Sequence, residues 1–131
     1  MTNQLGETAS TDDLYTALAL VESGLFGEPA SALTFAQTLA THDFVEGVSL
    51  RSSDLRSQLS KAGRQYFETV FAAARELLCA GDAVRMSTRV GAEFVFFVVE
   101  IIVTHTGVAL PIASLIARIV VSEGLENLCR H

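Results

Sequence analysis

The stretch 84–104, VRMSTRVGAEFVFFVVEIIVT, decides the fold class of this chain. Its first seven residues alternate like a strand, and FVFFVV is rich in the β-branched and aromatic side chains that suit a pleated sheet. Its polar residues argue the other way. Arg85, Arg89, Glu93, Glu100 and Thr104 are spaced by four, four, seven and four, which draws one narrow polar stripe along a helix. A strand would place Arg89 and Glu93 on one face with the apolar Val95 and Phe97. The spacing therefore predicts a helix.

Working toward the C-terminus, Gly107 and Pro111 interrupt the apolar run 94–121. A further helix begins at Leu110 or Pro111. Its polar positions, Ser114, Arg118 and Ser122, again fall every four residues; Gly124 ends it, and Leu125 to Cys129 add a last turn. Two helices with such narrow polar stripes are expected to be nearly surrounded. An unbroken apolar run of this length would span a bilayer, which takes about 20 residues. Glu100, His105 and Arg118 lie inside it, however, and each half has the length of a buried core helix. A buried helical hairpin is expected, with membrane insertion of 94–121 as the less favoured alternative.

Working toward the N-terminus, residues 53–80 form the clearest helix. Ser53 suits its cap and Asp54 its first turn. Leu55, Leu59, Ala62, Tyr66, Val70, Ala73 and Leu77 recur at steps of three and four, and Phe67, Phe71, Ala74 and Leu78 form a parallel row. Arg64 and Glu68 stand four apart and are expected to pair. Gly63 lies on the apolar side, where a glycine costs about 1 kcal/mol of helix propensity; a close helix–helix approach would offset that cost. Earlier still, Ser10 or Thr11 caps a first helix, with Asp12 and Asp13 at the positive end of its dipole. Leu14, Leu18, Val21 and Leu25 follow at helical spacing, and Gly24 ends the run. Pro29 opens a second helix with Leu33, Ala36 and Ala40 inward and Phe44 following. The fold expected is all-α: a compact antiparallel bundle of about five helices around a buried apolar C-terminal hairpin. Residues 1–10 are read as a flexible arm and 11–131 as a single domain.

Composition bounds the function. The chain has 131 residues, of which 50% are apolar and 18% charged. Disorder needs the opposite balance, and two cysteines do not make a disulfide scaffold. A net charge of −6 opposes nucleic-acid binding. The charge is unevenly divided. Residues 1–50 hold seven acids and no Lys or Arg, giving −7; residues 51–90 hold seven bases and four acids, giving +3; residues 91–131 hold two bases and four acids, giving −2. The acidic and basic segments are expected to attract each other within the fold, with head-to-tail stacking of copies as the alternative. The N-terminus has neither a basic nor an apolar leader segment, so the expected compartment is the cytoplasm.

No catalytic, nucleotide-binding or zinc-protease motif is present, so no enzyme, cofactor or metal is expected. His42, His105 and His131 stand apart. Cys129 and His131 form a CxH pair that Cys79 could join, but no second ligand pair follows. A Cys79–Cys129 disulfide requires two helix ends to meet, and the cytoplasm disfavours it. Glu100 interrupts the most apolar helix. It is read as a rim residue, as the partner of Arg118 across the hairpin, or as a buried acid in a ligand pocket. Phe94, Phe96 and Phe97 cover so wide an arc that one of them can face outward. The residues singled out for interaction or structure are thus Phe94, Phe96, Phe97, Glu100, Arg118 and Gly63. The function expected is a non-enzymatic interaction module whose partner is a protein, either itself or another helical protein. A membrane-active hairpin is the alternative, and a carrier of an apolar small molecule a weaker one.

Overall fold

The computed structural model describes residues 10–41, 49–80 and 92–130. The arm 1–9, His42, Phe44, the alternating stretch 84–91 and His131 lie outside the described residues. Six helices follow in order: α1 Thr11–Glu22, α2 Pro29–Thr41, α3 Ser49–Leu78, α4 Ala92–Thr106, α5 Leu110–Glu123 and α6 Leu125–Arg130. Among the described residues there is no strand, and the chain is an all-α helical bundle. The polar stripe of 92–104 therefore outweighs its β-propensity. Two compact units emerge, Met1–Gln65 and Tyr66–His131, and α3 contributes to both.

In the first unit, α1 packs on α2. Ser10 caps α1 with a full capping box: the Asp13 N–H donates to Ser10 Oγ at 3.1 Å, and the Ser10 N–H donates to Asp13 Oδ2 at 3.3 Å. This satisfies helix-end donors that otherwise have no partner. Every residue from Asp13 to Val21 is buried, so α1 is enclosed around its whole circumference. Gly24 ends the segment at φ +89, a left-handed conformation that strains other residues. Phe26 and Phe35 then meet at 5.4 Å across the turn into α2, whose buried face is Ala32, Leu33, Ala36 and Leu39.

The tightest approach in this unit joins Gly63 of α3 to Tyr15 of α1. A Cβ at Gly63 would overlap the Tyr15 carbonyl oxygen and lie 2.7 Å from its carbon. The close helix approach expected at Gly63 is present, backbone against side-chain-free backbone.

In the second unit, α3 buries Phe67, Val70, Phe71, Ala74 and Leu78, and the Phe67 and Phe71 rings stack at 5.6 Å. α4 and α5 form the C-terminal hairpin. Thr106 closes α4 by donating from Oγ1 to the Ile102 carbonyl at 2.6 Å, and Gly107 turns the chain at φ +75. Pro111 stands in the first turn of α5, and Gly124 at φ +91 separates α5 from α6. Cys79, just past α3, and Cys129 on α6 form a disulfide with Cα atoms 5.6 Å apart; the two helix ends do meet. Arg75 Nη2 donates to the Cys129 carbonyl at 3.2 Å beside it.

Several expectations need correction. α3 begins at Ser49 rather than Ser53, because no Gly or Pro interrupts 49–53. Val70, Val98, Ile102, Leu115 and Ile119 are buried. Leu59, Tyr66, Val95 and Ile112 are half-buried, and Leu77 is 41% exposed. The row of α3 that enters the core is the one through Gly63, Phe67 and Phe71, because Gly63 is the point of closest approach. α5 is nearly surrounded, but α4 is not: it buries the single line Phe94, Val98, Ile102 at steps of four. The wide apolar arc of α4 reflects composition, not enclosure.

Three stability measurements check this packing. Gly63→Ala gains about 1 kcal/mol of helix propensity. It should nevertheless destabilise the protein by about 1–3 kcal/mol in urea unfolding, since the added methyl overpacks against backbone that has nowhere to go. Ile102→Ala should cost about 2–5 kcal/mol. Leu77→Ala should cost less than about 1 kcal/mol, because much of that side chain already meets water.

Candidate functional site

Burial along α4 sets the first candidate. Phe94 is 5% exposed and anchors the helix to the core. Phe97, three residues on, is half-buried. Phe96, two residues from Phe94 and so almost opposite to it on a helix, is 69% exposed. Glu93 and Glu100 are both exposed. They stand three residues before and four after Phe96, on its own face. Val95, Val99, Ile101 and Val103 are half-buried. The outward face of α4 is thus an aromatic side chain between two carboxylates, bordered by aliphatic groups, on a helix without Lys or Arg.

Glu100 therefore takes the rim position. Arg118 on α5 is half-buried, and the two do not form an ion pair with each other. The reason is rotational: the line of α4 that meets the core runs through Val98 and Ile102, and Glu100 stands about 160–200° from both. No enclosed acid pocket forms at Glu100 either. Gly63 is a packing position, as described above.

A second cluster lies in the first unit, where Asp12 and Asp13 face the basic side of α3. Arg56 Nη2 lies 3.5 Å from Asp13 Oδ1, and Arg64 Nη2 lies 4.0 Å from Asp12 Oδ1. Ser60 Oγ donates to Asp12 Oδ1 at 3.3 Å. The Arg64 guanidinium sits over the Tyr15 ring at 4.4 Å. Arg64 was expected to pair with Glu68; Tyr15 and Asp12 hold it instead, since a cation over an aromatic face with a carboxylate nearby outweighs an exposed pair one turn away. Asp12, Arg56, Ser57, Ser60, Lys61 and Arg64 line an open notch of about 370 Å³. Its charges are largely matched within the chain, so the acidic and basic segments do attract each other inside the fold. The signal for this cluster was the −7 and +3 division of the sequence; the residues that meet were not individually legible.

Cys79 and Cys129 are bonded to each other, so neither offers a thiolate to a metal. Among the described residues, no three His, Cys, Asp or Glu side chains group as a metal site would require. Among the same residues, no helix is long and apolar enough to cross a membrane. No family model matches the chain, and no curated protein or solved structure matches it.

The separation of Glu100 from Arg118 has a direct check. In a double-mutant cycle with Glu100→Gln and Arg118→Met, the two stability changes should add within about 0.3–0.5 kcal/mol. A larger coupling would mean that the two charges meet in solution.

Proposed function

We propose that the protein is a non-enzymatic helical interaction module that associates with itself or docks a helical partner protein through apolar helix faces. The observation that carries the reading is Phe96, 69% exposed on a helix whose flanks remain apolar. Leu55, Leu77, Leu110 and Val121 are also large, apolar and exposed. An aromatic side chain left in water on a helix face with apolar flanks is a feature of sites where another surface removes it from water. A helix face with an aromatic anchor is a common form of such a site. Membrane insertion of the hairpin is the lesser reading, because α4 and α5 are separate short helices.

The cytoplasmic setting belongs to this proposal in the form where Cys79 and Cys129 are thiols, since cytosolic thiol pools keep such pairs reduced. The bridged form belongs to an oxidising compartment.

Light scattering tests the association. At tens of micromolar the particle should exceed the 14.0 kDa chain mass. It should do so equally in low salt and in about 0.5 M NaCl, because apolar burial is not screened. Phe96→Asp should weaken a Phe96-mediated contact while changing stability by less than about 0.5 kcal/mol, as expected at an exposed site. A variant that unfolds instead would return Phe96 to the core.

A further inference from the structure

We propose that the Cys79–Cys129 bridge is a redox latch: it holds α6 on the end of α3, and a dithiol reductant releases that helix while the rest of the unit stays folded. Every residue involved belongs to the unit Tyr66–His131. Cys79 directly follows α3, Cys129 lies near the end of α6, and their Cα atoms stand 5.6 Å apart. They are the two cysteines of the chain, so no third thiol of the same molecule competes for either.

A bridge acts as a latch or as a staple according to what else holds the parts it joins. The core of this unit does not depend on α6. Phe67, Phe71, Val98, Ile102, Ile116 and Ile119 are buried on α3, α4 and α5. α6 adds one buried residue, Leu125, at its first position. Beyond it Glu126 and Asn127 are exposed, Leu128 and Cys129 half-buried and Arg130 exposed. Six residues fall well short of the roughly 12–15 that an isolated helix needs in water. α6 therefore keeps its shape by attachment. At its C-terminal end Arg75 Nη2 donates to the Cys129 carbonyl at 3.2 Å. Carbonyls of a last turn have no partner within their own helix, and Arg75, in the last turn of α3, supplies one. A single hydrogen bond contributes little net, because water competes for both groups. Once the bridge opens, that bond and the half-buried Leu128 are left to hold the last turn, and a helix this short frays.

The bridge is also within reach of a reductant. Both cysteines are half-buried, and each has an exposed neighbour in the chain, Ala80 and Arg130. Access of this kind governs exchange at sulfur. One thiolate of the dithiol attacks a bridge sulfur and forms a mixed disulfide. Its second thiol resolves that bond. Two electrons and two protons pass to the protein, Cys79 and Cys129 become thiols, and the reductant leaves as its own disulfide. Oxidation reverses each change.

Amide hydrogen exchange on the whole protein, read by NMR before and after dithiothreitol, tests the latch. The Leu128 N–H donates to the Gly124 carbonyl at 3.1 Å, and the amides of 128–130 close the i to i−4 bonds of α6. Reduction should speed their exchange by at least about tenfold, to near the rate of an unstructured peptide, while Val98, Ile102 and Ile116 stay protected by at least about a hundredfold. The bridge joins residues 50 apart in sequence, so the melting temperature should also fall by about 5–20 °C without loss of the folded state. Reoxidation should restore the slow exchange. Cys79→Ser with Cys129→Ser should show the released pattern from the start and ignore dithiothreitol. Unchanged exchange at 128–130 with both thiols alkylated would overturn the latch, since something else would then hold α6. Loss of core protection together with that of 128–130, in the reduced protein or the double serine variant, would make the bridge a staple of the whole unit. Failure of dithiothreitol to open the bridge in the folded protein would make it an inert cross-link. None of these readings depends on whether the chain associates.

Discussion

The contact between the Gly63 backbone and the Tyr15 carbonyl governs the arrangement around it. Two helices approach this closely only where one lacks a side chain. The glycine gives up about 1 kcal/mol of helix propensity, and the close packing of α1 offsets it. Once α1 sits in that position it is enclosed from Asp13 to Val21, and its charged groups must be matched at short range. Asp13 is held by its own capping box and by Arg56; Asp12 is held by Ser60 and Arg64. The Tyr15 ring completes the layer beneath the Arg64 guanidinium. The acidic and basic segments thus neutralise each other because Gly63 brings them together, not through long-range attraction alone.

The same glycine chooses which side of α3 faces inward. α3 has two apolar rows of nearly equal quality, one through Leu55, Leu59 and Tyr66, the other through Phe67, Phe71 and Leu78. The row at helical spacing from Gly63 is the buried one. The other is left partly in water. A comparable surplus appears on α4, where one line of three residues faces the core and Phe96 faces away. Both helices thus carry more apolar surface than is buried, and that surplus is the physical ground for the interaction role proposed above.

Much of the backbone was legible from residues. Ser10, Gly24, Pro29, Gly107, Pro111 and Gly124 punctuate the helices where capping and turn chemistry place them, since these effects are local. The helical period of 92–104 was legible because its charged residues repeat regularly. Burial was less legible, for a specific reason. Periodicity defines a face but not what that face meets. Leu77 and Leu78 both satisfy the step rule, yet Leu78 is fully buried and Leu77 is not. Glu100 and Arg118 lie on opposite arms of the hairpin, yet that placement does not settle rotation about the helix axis.

Rotation is also the reason the outward surface resisted reading. A helix of 15 residues with apolar groups on most of its circumference fits many rotations about equally well by composition. The distinction between Phe94 and Phe96 then rests on which line meets α5. In α3 the corresponding degeneracy is broken by one small residue, whose position in the row is visible in the sequence. Where a long helix offers two apolar rows, the row that includes a glycine is the better candidate for the core, because close approach is the condition under which a glycine's cost is recovered. The row without it becomes the candidate for an external surface.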